Sequence, residues 1–187
     1  TDSNFIPVTD LSCLFARNTE IKVMPEIPST VKTLNNTFLN CENLIEVSSI
    51  PSGVTDLQST FSGCTSLKEM PEIADTVTNM NSTFYLCSNL SIVSELPKSL
   101  KTMEFTFEGC SKLTEVPEIP NGVVTLRGTF YNCIGITSSP VIPNTVTSMR
   151  ATFSGCTNLI TAPEIPESVI NLQNTFQDCS SLTGTIT

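Results

Sequence analysis

Histidine and tryptophan are absent from the chain, tyrosine occurs twice, and lysine and arginine together number 9. Without imidazole, the usual proton shuttle at neutral pH, the usual zinc ligand and every nucleophile–histidine pair are excluded. The shortage of basic residues leaves a net charge of -9, which on average repels a nucleic-acid backbone or an anionic membrane surface, so neither is expected as a partner. No uninterrupted apolar run reaches the roughly 18 to 20 residues of a membrane helix, and no membrane insertion is expected in this segment. The opening TDSNFIPVTD lacks the basic start and apolar centre of an export signal. The abrupt beginning and end lead us to expect that residues 1–187 form a single unit of a longer chain. Disorder is disfavoured by 39% hydrophobic residues and a mean hydropathy of +0.12. Aromatic content is only 6%, and ten of those residues are phenylalanine, a skew that points to repetition.

The phenylalanines set the period. Phe15, Phe38, Phe61, Phe84, Phe107, Phe130, Phe153 and Phe176 recur every 23 residues, and from Thr37 to Thr175 each is preceded by threonine. Three residues after each Phe comes Asn18, then Cys41, Cys64, Cys87, Cys110, Cys133, Cys156 and Cys179. Three further on stands Ile21, Leu44, Leu67, Leu90, Leu113, Ile136, Leu159 or Leu182. Other apolar columns run from Val8 to Val169 and from Leu11 to Leu172, with further columns starting at Met24 and Ile27. The unit reads LxxhPEIPxxVxxLxxTFxxCxx, where h is apolar. One unit has too few apolar side chains to close a core, so the units must stack and cover one another.

These columns predict an α/β-type solenoid, a right-handed leucine-rich repeat superhelix of about eight 23-residue turns. Prolines such as Pro25 and Pro28 exclude helix from the Leu-to-PEIP segment, where a short parallel strand is expected. The Val, Leu and Thr-Phe columns are spaced three to four apart, which predicts a short helix or 3₁₀ turn on the other side. The TFxxCxxL string, as in Thr60, Phe61, Cys64 and Leu67, resembles the AFxxCxxL core of the BspA-like (Treponema-type) leucine-rich repeats of bacterial and some protist surface proteins. The resemblance covers about the whole chain. It departs in Thr for Ala and in the PEIP insertion. It implies the repeat fold, a location at the cell surface or after secretion, and a role in adhesion and recognition.

Eight cysteines in an exported protein would ordinarily suggest disulfides, but seven fall in one column and the first turn puts Asn18 in the same slot. An amide can bond the backbone of a turn and cannot cross-link. Adjacent turns would bring the thiols to the ~4.8 Å strand spacing with parallel Cβ vectors, an orientation that disfavours bridging. The column Asn18, Cys41, Cys64, Cys87, Cys110, Cys133, Cys156 and Cys179 is therefore read as a structural ladder. Single cysteines 23 apart lack the Cys-x-x-Cys pairing of zinc sites. Cys13 lies outside the column. No metal or cofactor is expected.

Subtracting the apolar columns leaves two acidic ones, Glu26, Glu72, Glu95, Glu118 and Glu164, and Glu46, Glu69 and Glu115. These eight glutamates are the candidate partner-binding residues. A solvated face, a basic protein partner and calcium are the alternatives, although calcium would find no aspartate-rich loop. Paired carboxylates can hydrolyse glycosides, but that chemistry needs two different environments and a ladder repeats one, so no enzyme is expected. The central turns lose regularity at Ile92, Phe105 and Ile134–Ile136, through specificity or through drift. The sequons at Asn35, Asn81 and Asn89 are of the kind an Asn-, Ser- and Thr-rich chain produces by chance. The reading that follows is a surface or secreted module binding a protein or glycan ligand. The alternative is a structural spacer that self-associates end to end through uncapped ends.

Overall fold

The computed structural model describes residues 6–183. Successive 23-residue units lie on one another in register. Asp10, Thr33, Asp56, Asn79 and Thr102 are joined in sequence by single-residue parallel bridges, as are Thr125, Ser148 and Asn171. Inside the coil the eight phenylalanines form one stack. Neighbouring rings are 5.4 Å apart at Phe15–Phe38 and 5.9 Å at Phe153–Phe176, and are nearly parallel throughout. Around this stack the Val, Leu/Met, Cys and Leu/Ile columns are fully buried between Val31 and Leu159. Each turn thus removes its neighbours' apolar surface from water, the main favourable term in folding.

Of the two alternatives expected on the Val–Leu–Thr-Phe side, a short helix or a 3₁₀ turn, no helical segment of either kind is formed among the described residues; isolated three-residue turns stand there instead. In every turn the residues two before and two after the phenylalanine have positive φ, as at Asn36 and Asn40 or Ser59 and Gly63. A right-handed helix cannot contain such residues. Alternate N–H groups instead leave the turn: those of Leu34, Asn36, Phe38 and Asn40 donate to Asp56, Gln58, Thr60 and Ser62 one turn on. The N–H groups between them fold back three residues, Thr37 to Leu34, Leu39 to Asn36 and Cys41 to Phe38. Every second peptide is turned toward the neighbouring coil, and the left-handed residues permit that reversal. The three-to-four spacing of the apolar columns reflects these three-residue turns.

The opposite segment also differs from expectation. Only isolated bridges form there, Val23 to Glu46, Glu69 to Ile92 and Ile50 to Ile73, because the prolines that exclude helix also remove ladder donors. In most turns a proline begins a tight turn whose carbonyl accepts the N–H three residues on, as in Val31 to Pro28 and Val123 to Pro120, and Ala74 takes that place before Val77.

The threonine of each Thr-Phe pair is buried, yet its hydroxyl is satisfied. Thr60 Oγ1 donates to Leu34 O at 2.9 Å, Thr106 to Met80 O at 2.7 Å and Thr152 to Leu126 O at 2.9 Å. Each bond joins two turns and is worth about 1 kcal/mol net. Threonine here supplies an inter-turn bond that alanine could not.

Candidate functional site

The cysteine column runs beside the phenylalanine stack. All eight cysteines are free; Cys41 to Cys156 are buried, Cys179 is half-buried and Cys13 is exposed. Each column thiol donates to the carbonyl of the phenylalanine in the preceding turn, from Cys41 Sγ to Phe15 O at 3.0 Å through Cys179 Sγ to Phe153 O at 3.0 Å. Asn18, with the same slot in the first turn, accepts through Oδ1 from the N–H groups of Glu20 and Ile21. Burial pushes the Cys87 and Cys156 thiols up to about 12 and those of Cys110 and Cys133 well above the ordinary value. Thiols held in the protonated form are neither nucleophiles nor metal ligands at neutral pH. Among the described residues no cluster of cysteine, aspartate and glutamate is arranged to hold a metal ion.

The eight glutamates of the two acidic columns are all exposed, on the side of the coil that carries the prolines. The bridges Val23–Glu46 and Glu69–Ile92 hold the backbone of one column in register. Glu46, Glu69 and Glu72 come together with Val23, Ile45 and Lys68 in the lining of a groove of about 610 Å³. A second groove takes Glu72 and Glu95 with Asp75 and Lys98, and a third takes Glu164 with Val141 and Asn144. Glu26, Glu115 and Glu118 are exposed outside these three grooves. The face is mixed, with carboxylates, lysines such as Lys68 and Lys98 and exposed valine and isoleucine along it, and the acidic columns are broken by Ser49, Ile92, Ser138, Val141 and Thr161, as the sequence indicates.

A second cluster lies on another side, separated in each turn by the buried cysteine and leucine columns. Tyr85, Glu108 and Tyr131 occupy the position after the phenylalanine in three successive turns, and all three are half-buried. Their backbones are locked together by Leu86 N–H to Glu108 O and Gly109 N–H to Tyr131 O, at 2.7 and 2.8 Å. Burial raises the Glu108 carboxyl, and burial together with the Glu108 charge raises Tyr85. In the same turns the Arg127 guanidinium lies 5.1 Å from the centre of the Phe105 ring. A signal for this cluster is present in the sequence, since the two tyrosines are two repeat lengths apart.

The sequon amides are engaged within the fold. Asn35 Nδ2 donates to Asp56, Asn81 Oδ1 accepts from Thr102 and from the Glu104 N–H, and Asn89 Nδ2 donates to Thr65 O. No helix among the described residues is long and apolar enough to cross a membrane.

The family model described as BspA type leucine rich repeat region matches the chain in six copies, over residues 12–137 and 78–187. The chain belongs to this family. This BspA-type protein is also similar to the solved leucine-rich repeat protein of T. pallidum, at 26% identity over 86% of this chain and 77% of that one, with a TM-score of 0.67. A leucine-rich repeat protein of Bacteroides ovatus aligns at 22% identity over 91% of this chain and 68% of the other, with a TM-score of 0.39. A leucine-rich cell surface protein of Faecalibacterium prausnitzii aligns at 18% over 92% and 74%, also at 0.39. No curated protein matches the chain. The fold is the leucine-rich repeat fold, and such repeats generally serve as protein-interaction modules.

Proposed function

We propose that this BspA-type protein is a non-catalytic recognition module, acting at the cell surface or after secretion, that binds a protein or glycan partner through its proline-side face. Its contacts are drawn from Glu26, Glu46, Glu69, Glu72, Glu95, Glu115, Glu118 and Glu164. The observation that carries this reading is that the eight exposed carboxylates of the two columns lie on one side, beside exposed aliphatic side chains such as Val23, Ile45 and Val141 and the three grooves. A mixed charged and apolar surface can supply electrostatic selection and apolar contact together. The coil is taken as right-handed, the sense that parallel crossover connections adopt, and as eight turns, one for each ring of the stack. The test is binding of the immobilised chain to a panel of matrix proteins and glycans, repeated with glutamine at 46, 69, 72 and 95. A tenfold or greater loss of binding with unchanged circular dichroism supports the face; unchanged binding removes it.

A second reading is end-to-end self-association, in which one copy stacks on another as its own turns stack. Leu14 is 57% exposed and Leu172 42% exposed, and Phe15 and Phe176 are only half-buried. Against it, the first turn has Leu14 where interior turns reach back with a threonine hydroxyl, so it lacks that donor toward a stacked neighbour. Light scattering across a concentration series separates the two readings, since growth with concentration supports assembly and a constant monomer mass supports recognition.

A further inference from the structure

We infer that the Tyr85–Glu108–Tyr131 column is a second contact site, and that it receives a basic side chain, lysine or arginine, of a protein partner. The inference rests on the recognition reading and names the partner chemistry. Three observations carry it. The chain has two tyrosines in all, and they stand one on each side of a single carboxylate. The same position elsewhere holds Ala16, Leu39, Ser62, Ser154 and Gln177, so the trio is not a requirement of the repeat. The step between these turns is 5.8 Å at both adjoining phenylalanine pairs, so each tyrosine stands a single turn from Glu108, and a cation that is paired with the carboxylate can also be drawn to an aromatic ring.

Charge decides between occupants. The half-buried Glu108 carboxyl is shifted by burial, with no positive charge contributing, and the one arginine in these turns, Arg127, sits over Phe105. A desolvated carboxylate without a cation gains most from one supplied by a partner. A neutral sugar would pack on the rings and leave that charge uncompensated. The overall charge of -9 steers a basic partner to the chain.

Because the chain lacks tryptophan and both tyrosines lie here, intrinsic tyrosine fluorescence reports this patch alone. The test is a fluorescence titration with acetylated hexa-arginine amide, paralleled by calorimetry and by chitotetraose as a neutral saccharide. The expected result is a saturable fluorescence change with the peptide, weakened at least tenfold in Glu108→Gln and by less than threefold in the Glu69→Gln/Glu72→Gln double variant, with circular dichroism unchanged in both. Binding heat that is lost on neutralising the acidic columns, without any fluorescence change, would overturn the inference while leaving the proline-side face intact. A fluorescence change indifferent to Glu108→Gln, or one produced by chitotetraose and not by the peptide, would also overturn it.

Discussion

Alkaline pH should unfold this protein through its thiols. Unfolded cysteine titrates at the ordinary 9.0, whereas burial holds Cys87 and Cys156 at about 12 and raises Cys64, Cys110 and Cys133 as well. The folded state therefore keeps protons that the unfolded state releases, and stability falls as pH rises through 9. From pH 8 to pH 10.5 each such thiol removes about 2 kcal/mol, so five remove about 10 kcal/mol, comparable to the whole stability of a typical domain. The assay is urea unfolding at half-unit pH steps, followed by circular dichroism, with reductant present and Cys13 replaced by serine. Each Cys→Ala substitution in the column lowers stability at pH 8 by opening a cavity, yet reduces the alkaline slope by about 1.4 kcal/mol per pH unit. If the wild-type chain loses less than about 3 kcal/mol over this range, or if the slope survives removal of the thiols, the burial argument is wrong.

Three further outcomes follow from the inter-turn contacts. Thr106→Val removes the hydroxyl that bonds Met80 O while nearly keeping the volume, and should cost about 1 kcal/mol in urea unfolding. Gly128→Ala puts a Cβ against the Phe105 ring at a positive φ and should cost at least about 2 kcal/mol; adding Phe105→Ala should restore more than about 0.5 kcal/mol in a double-mutant cycle. Glu108, whose carboxyl is raised by burial from 4.5, penalises the folded state only when ionised. Glu108→Gln should therefore match or exceed wild-type stability at pH 7, and any advantage should vanish below pH 4.5.

The apolar columns were readable because each asks for one property. A position that must be buried in every turn shows phenylalanine eight times, or thiol seven times, and the period follows directly. The left-handed positions carry no such signature. Asn36, Ser59, Ser82, Phe105, Gly128, Ala151 and Asn174 share one backbone conformation and no common side chain, since a requirement imposed by inter-turn N–H bonds constrains the peptide plane and leaves the side chain free. The helix expectation failed there, because three-residue turns and a helix space apolar residues alike. The glycines had a logic visible only in three dimensions. Along one column Asn40, Gly63, Leu86, Gly109, Asn132 and Gly155 alternate, and the larger residue leans over the glycine of the next turn, so that a Cβ at Gly109 would lie 2.6 Å from Leu86 Cδ2. Among candidate contacts, the exposure of the acidic columns could be read by subtraction. The tyrosine–glutamate column could be found only by asking which rare residues share a phase.

Stacking of 23-residue turns in register encloses the phenylalanine and thiol columns. Its most direct test is timed alkylation of the native chain with a maleimide, read residue by residue by mass spectrometry. Cys13 should react within minutes and Cys179 more slowly, while Cys64, Cys87, Cys110, Cys133 and Cys156 should remain unmodified until denaturant is added. Rapid modification of two or more of those five, or their recovery as disulfides, would contradict the stacked coil.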